Sequence, residues 1–300
     1  MSRAILITGS AGVLGSFLRK NLRQQGYPTL GIDIRGTGHD FGDILDYDHV
    51  SSLISTCQGI IHCAAISRVL DCEKQPTWAH QVNVLGTKNI VQAMQNTAHK
   101  PWIIFTSSRE VYGNQSDLPV REESTLHPQN VYGQTKMQGE RLLQAAQENG
   151  VHTAIIRLTN IYGSTNDIPE RAIPSFVRNS LLHQSFSVVG EERQFDFLHI
   201  QDATTAILGL IPFVKKTSLE PLLLCSGWPI TLGNLARKIQ KQISFELSIP
   251  SSIQYLPNST FEVNHFYGSS QRIKQYIDWS PKINLEEGLQ QYINEMKEII

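Results

Sequence analysis

Ala4-Ile5-Leu6-Ile7-Thr8-Gly9-Ser10-Ala11-Gly12-Val13-Leu14-Gly15 is the stretch that decides the fold. Four consecutive apolar residues read as a buried strand, and three glycines at regular spacing read as a tight turn into a helix. Glycines there let the backbone approach a pyrophosphate and let the helix pack closely on the strand, while helix N–H groups point at the anion. Asp33 closes Leu30-Gly31-Ile32-Asp33 and lies 18 positions past Gly15, near the ~20 expected for an acid on the ribose hydroxyls. A carboxylate there repels a 2'-phosphate, so NAD is expected over NADP, with Arg35 the residue that argues the other way.

Outward from that turn, strand-length apolar runs alternate with helical patterns. Ala4–Ile7 leads to a helix over Gly15–Gln25, followed by strands at Thr29–Ile34 and Ile60–Ala64. A helix over Asn83–Asn96, a strand at Trp102–Thr106, a helix over Tyr132–Asn149 and a strand at Thr153–Leu158 follow. This alternation predicts an α/β fold with a doubly wound parallel sheet, the Rossmann arrangement, whose ligands gather at the carboxyl ends of the strands. Gly9, Asp33, Ala64, Ser107 and Asn160 all fall there. Past Gly163 the prolines at 169, 174, 212, 221, 229, 250 and 257 break the chain into shorter elements. Residues 1–163 are therefore expected to hold the cofactor and residues 164–300 mainly a smaller, mixed substrate lobe, with some segments returning to the first domain.

Composition narrows the function. The 300 residues are 40% hydrophobic and carry a formal net charge of -1, with no dense Lys/Arg stripe, so nucleic acid and membrane surfaces are not expected partners. Cys57, Cys63, Cys72 and Cys225 are scattered without a metal-ligand spacing, so free thiols and no metal are expected. No apolar run reaches the ~18 residues of a membrane span and no secretory leader is evident, which predicts a cytoplasmic protein.

The second informative stretch is Val131-Tyr132-Gly133-Gln134-Thr135-Lys136, preceded in the chain by Ser108. Residues four apart on a helix share a face, so the Lys136 ammonium falls beside the Tyr132 phenol. Tyrosine, with an ordinary pKa of ~10, is a poor base unless nearby positive charge favours phenolate. With such help Tyr132 takes a proton from a substrate hydroxyl as the carbon gives up hydride, and Ser108 holds that oxygen.

These stretches resemble the extended short-chain dehydrogenase/reductase family, and within it the NAD-dependent nucleotide-sugar epimerases and dehydratases. Further matching segments are His62 to Ala65, Asn83 to Thr87, Ser107-Ser108-Arg109-Glu110-Val111-Tyr112-Gly113, Asn160 to Gly163 and Asp196 to Asp202. The resemblance implies catalytic roles for Ser108, Tyr132, Lys136 and Glu110. It implies NAD contacts at Gly9, Gly12, Val13, Leu14, Gly15, Asp33, Ile34, Asp43, Ile44, Cys63, Ala64, Ala65, Asn83, Thr106, Tyr132 and Lys136, and substrate contacts at Ser67, Ser108, Arg109, Asn160 and Arg193.

Dehydratases of the family carry an Asp-Glu pair where this chain has Arg109-Glu110, and arginine stays protonated, so water elimination is disfavoured. The arginine common before Asp196-Phe197 is Phe195 here, with Arg193 on the same strand face two residues earlier, and a second arginine is absent near Pro257 to Val263. Arg171, Arg178 and Arg272 are alternative cations for a diphosphate. The expected function is NAD-dependent epimerisation of a nucleotide sugar through a keto-sugar intermediate. Dehydratase, decarboxylase, ketoreductase and a non-catalytic dinucleotide-binding regulator are the alternatives. The resemblance also implies a homodimer paired through Thr87–Asn96 and Val131–Asn149, whose apolar residues include Ile90, Val91, Met94, Leu142 and Leu143.

Overall fold

The computed structural model describes residues 3–247, 252–257 and 263–300. In chain order the strands are β1 Ala4–Thr8, β2 Thr29–Ile32, β3 Cys57–His62, β4 Trp102–Ser108, β5 Thr153–Leu158, β6 Asn160–Tyr162, β7 Phe186–Val189, β8 Gln194–His199, β9 Leu222–Leu224, β10 Pro229–Thr231, β11 Ile253–Leu256 and β12 His265–Phe266. The helices are α1 Val13–Gln24, α2 Tyr47–Ser55, α3 Val69–Lys74, α4 Pro76–His80, α5 Gly86–Gln95, α6 Val131–Glu148, α7 Ala172–Leu181, α8 Ile200–Gly209, α9 Ile211–Val214, α10 Leu232–Leu247 and α11 Leu285–Lys297.

A parallel sheet in the order β2-β1-β3-β4-β5-β9 forms the large layer. Its strands are apolar throughout because helices cover both faces, and alternate residues feed opposite cores. Ile5, Ile7, Ile61, Ile104, Ala154 and Ile156 pack into one with Leu18 and Leu22 of α1 and Ala203, Ala206 and Ile207 of α8. Leu6, Ile60, Ile103, Phe105 and Ile155 pack into the other with residues of α2, α5 and α6. The strand order reverses between β1 and β3, which opens a crevice at their carboxyl ends.

The remaining strands form a smaller layer. β8 lies between β10 and β12 and also pairs with β6, while β7 and β11 form a two-stranded sheet. β9 belongs to the large sheet although it comes from the later half of the chain.

Several boundaries differ from the sequence reading. β2 ends at Ile32 because the Asp33 carboxylate accepts the Arg35 N–H at 2.8 Å and turns the chain. β3 spans 57–62 and not 60–64, so Cys63, Ala64 and Ala65 form the loop at its end. The helix expected from Asn83 begins at Gly86, after a wider turn over Gln81–Leu85. Ile90, Val91, Met94 and Leu143 are buried in the core beneath α5 and α6, and Leu142 is half-buried. Their apolar character is therefore accounted for within one chain. Of the segment near Pro257 to Val263, residues 258–262 lie outside the described residues.

Candidate active site

One cleft of about 690 Å³ opens at the switch point and runs toward the smaller layer. Gly9 holds a φ of +68°, and a Cβ on it would stand 2.7 Å from the Ala64 backbone nitrogen. A Cβ on Gly15 would overlap the Gly9 carbonyl oxygen. Only glycine closes the turn this tightly. Helix α1 starts on Gly12 with no side-chain cap, so its first N–H groups face the cleft without a side-chain acceptor, as an anion site requires. Asp33 lines the same cleft with its carboxylate fixed by the Ala11 N–H at 3.0 Å and the Arg35 N–H. Arg35 lies 3.5 Å from that carboxylate with its side chain 62% exposed. Backbone clearance, helix terminus and placed acid together fit a dinucleotide.

Gly9, Gly12, Val13, Leu14, Gly15, Asp33, Ile34, Asp43, Ile44, Cys63, Ala64, Ala65, Thr106, Tyr132 and Lys136 all line the cleft. Asn83 does not. Its amide oxygen accepts from the Ile66 N–H at 2.8 Å, and its amide nitrogen donates to the Ile66 carbonyl at 3.0 Å and the Thr135 hydroxyl at 3.0 Å. Asn83 thus ties the loop after β3 to α6.

Tyr132 and Lys136 share one face of α6, with the Lys136 Nζ 5.9 Å from the phenol ring centre. The ammonium donates to the Thr106 carbonyl at 2.8 Å and sits 4.8 Å from the Phe105 ring centre. Burial lowers the Lys136 pKa to about 8. Burial likewise pushes the Tyr132 phenol well above its ordinary value, and the Arg171 charge and a hydrogen bond with Ser108 pull it part of the way back. The sequence did not signal that Arg171 faces Tyr132.

Ser108 ends β4 and its hydroxyl also accepts the Glu110 N–H at 3.2 Å. Arg109 and Glu110 form a buried ion pair at 2.8 Å. The other Glu110 oxygen accepts from the Asn130 amide at 2.6 Å, and Asn130 caps α6 by accepting the Gly133 N–H at 2.8 Å. Both Glu110 oxygens have a partner, and through Asn130 the residue is tied to the start of α6. Asn130, directly before Val131, was readable as a helix cap; its bond to Glu110 was not.

The substrate candidates Ser67, Ser108, Arg109, Asn160 and Arg193 line the cleft. Asn160 donates to the Asp196 carbonyl at 3.2 Å and accepts from Arg109 at 3.4 Å. Arg193 donates to the Val263 carbonyl at 3.0 Å and lies 5.0 Å from the Phe195 ring centre. Arg171 reaches the Ser67 hydroxyl at 2.9 Å and Asp167 at 3.0 Å. Of the other two cations, Arg178 is exposed away from the cleft, and Arg272 bonds Pro221 and Glu123 outside it. Asn166 donates to the Ala11 carbonyl at 3.0 Å, so the segment after β6 touches the glycine turn.

The thiols are free, and burial pushes Cys57 to about 11 and Cys63 and Cys72 to about 12. Among the described residues no helix is long and apolar enough to cross a membrane.

A model of the NAD dependent epimerase/dehydratase family matches residues 5–218. The chain is 28% identical to a protein described as a putative UDP-glucose 4-epimerase from Methanocaldococcus jannaschii, over 98% of each chain. It is 31% identical to methionine adenosyltransferase 2 subunit beta of Mus musculus over 73% of this chain and 64% of that one. The crystal structure of UDP-glucose 4-epimerase with UDP-glucose from Thermotoga maritima superposes with a TM-score of 0.89 at 22% identity, covering 99% of both chains, a likeness of fold.

Proposed function

Because the chain belongs to the NAD dependent epimerase/dehydratase family, we propose that it is a cytoplasmic epimerase of a nucleotide sugar, working through a transient keto-sugar. The carrying observation is that Ser108, Tyr132 and Lys136 converge in the cleft whose glycine turn and Asp33 fit the dinucleotide. The name of the Methanocaldococcus relative supports the same reaction class. Residues 1–163 hold cofactor and catalytic groups, and residues 164–300 mainly the substrate.

NAD, when bound, supplies the acceptor and later the donor of hydride. Gly9 to Gly15 and Asp33 hold its diphosphate and ribose. Tyr132 takes the proton from the sugar hydroxyl and returns it when the carbonyl is reduced from the other face. Ser108 donates a hydrogen bond to that oxygen, and Lys136, charged below about pH 8, opposes protonation of the phenolate. Arg171 adds positive charge beside the phenol and is the cation best placed for a substrate phosphate. Water elimination is disfavoured because Arg109 stands where an acid is needed and Glu110 is already held by Arg109 and Asn130.

Incubation with UDP-, TDP-, GDP- and CDP-sugars and NAD in deuterated water tests the reading by mass spectrometry and NMR. An isomer of unchanged mass without solvent deuterium supports epimerisation by hydride return; loss of water or carbon dioxide overturns it in favour of dehydratase or decarboxylase. A second reading, a dinucleotide-binding regulator, has the methionine adenosyltransferase subunit as its observation. Tyr132→Phe abolishes turnover if the chain is an enzyme, whereas a regulator keeps its biological activity.

The homodimer is proposed through the outer faces of α5 and α6, where Leu142 on α6 is half-buried and Leu85, in the turn just before α5, is exposed. Sedimentation equilibrium of wild type and Leu142→Glu checks it: a dimer that dissociates in the variant is the expected result.

A further inference from the structure

Arg109 occupies an unusual setting. It is buried and lines the substrate side of the cleft. Its guanidinium carbon lies 4.7 Å from the Phe195 ring centre and 5.4 Å from that of Phe266. Nη2 pairs ionically with Glu110 at 2.8 Å, and Nε reaches Asn160 only at 3.4 Å. Nη1 is buried with no hydrogen-bond partner among the described residues.

Arginine cannot shed its charge to relieve this, and aromatic faces stabilise the cation without accepting an in-plane N–H bond. A charged donor left in a buried site without an acceptor is costly. Asn160 does not accept from Nη1, because its amide nitrogen is itself a donor, bonded to the Asp196 carbonyl, and its oxygen already faces Nε. Glu110 does not either: it pairs with Nη2 and accepts from Asn130, and no hydrogen bond from Nη1 reaches it. The fork is half used, and the chemistry that completes it is a planar, anionic oxygen acceptor.

Arg109 follows Ser108, which lines the cleft together with Tyr132, so the acceptor belongs to the part of the substrate near the reacting carbon. We propose that Arg109 reads a carboxylate carried by the sugar and so selects acidic nucleotide sugars, the uronic acids, over neutral ones. This rests on the nucleotide-sugar reading above and specifies its substrate class. Phe195 serves the same end, because an arginine at that position would face the Arg109 guanidinium in place of the ring that now flanks it.

The test is isothermal titration of the NAD-loaded protein with UDP-glucuronic acid, UDP-glucose and UDP. The expected result is binding of UDP-glucuronic acid at least about tenfold tighter than UDP-glucose, the factor typical of one charge-assisted hydrogen bond. In Arg109→Lys and Arg109→Gln that preference falls toward one while UDP affinity is retained. Equal affinity of the wild type for the two sugars, which needs no variant to fold, overturns the inference and leaves the epimerase reading standing. An equal loss for all three ligands in the variants overturns it by assigning Arg109 to the diphosphate. Binding of none overturns the inference for uridine sugars, and the nucleotide-sugar reading falls with it only when TDP-, GDP- and CDP-sugars also fail to bind.

Discussion

His62 sits at the end of β3 between two hydroxyls, with Nδ1 2.6 Å from the Thr8 Oγ1 and Nε2 2.9 Å from the Thr87 Oγ1. Burial first, and the Lys136 charge second, lower its pKa to about 3. The folded state then binds fewer protons than the unfolded one between about pH 3 and the ordinary value of ~6.5. The stability this ring contributes is present above ~6.5 and is lost as pH falls toward 3. His62→Gln keeps hydrogen-bonding atoms but cannot titrate. Its unfolding free energy between pH 7 and pH 4 should fall less steeply than that of wild type, by up to about 1.4 kcal/mol per pH unit. Urea titrations at each pH measure this, and parallel slopes would refute it. Single residues also show what sequence can reveal. Tyr132 and Lys136 were legible because helix geometry alone brings positions four apart together. The hydrogen bonds of Asn83 were not legible, because its partners Ile66 and Thr135 are 17 and 52 positions away, and nothing local encodes that distance.

Helix α6 is the element on which the site depends, since it carries Tyr132 and Lys136 and starts on Asn130. The Asn130 side chain does two things at once: it caps Gly133 and donates to Glu110. Asn130→Ala removes a cap worth about 1 kcal/mol and leaves a buried carboxylate oxygen without its donor, a loss of about 1–3 kcal/mol. A combined destabilisation of roughly 2–4 kcal/mol by denaturant titration is expected on those terms, with turnover reduced as the helix start loosens. Asn130→Asp retains the cap acceptor but sets a carboxylate against Glu110. Its deficit should shrink as pH falls and one carboxyl protonates; a deficit independent of pH would show that the Glu110 bond contributes nothing. Farther along, α6 places Glu140 against Arg157 of β5 in a buried pair at 2.7 Å. Removing one partner of such a pair typically costs about 3–5 kcal/mol, so Glu140→Ala should lower the melting temperature more than any cap variant. The helix itself was readable from its period, but the contacts that fix its entry point and its far half come from strands elsewhere in the chain.

At the scale of the molecule, the division proposed at residue 163 is not a division of the fold. β5 pairs with β9, whose Leu222, Leu223 and Leu224 stand beside Ile156, Arg157 and Leu158. Helix α8 covers α1, and Leu18 and Leu22 share one core with Ala203, Ala206 and Ile207. Both covers come from beyond residue 163. The alternation of strands and helices predicted the sheet, yet β9 is three residues long, too short for any period to mark, and its place is set by a strand some 65 residues earlier. A fragment of residues 1–163 therefore presents β5 as an open edge and leaves an apolar helix face in water, the combination that drives association through unpaired strand edges. Such a fragment is expected to aggregate or to lack a cooperative thermal transition, even though it contains every expected NAD contact. Circular dichroism melts with parallel measurement of dye binding decide the matter. A sharp two-state melt for 1–163 would mean that the first domain closes without β9 and α8. Because Asn166 and Arg171 reach across to Ala11 and Ser67, full-length protein should respond to NAD as one unit. A single transition moving upward with NAD concentration is expected, whereas two transitions, only one of them shifted, would mean that the lobes unfold separately.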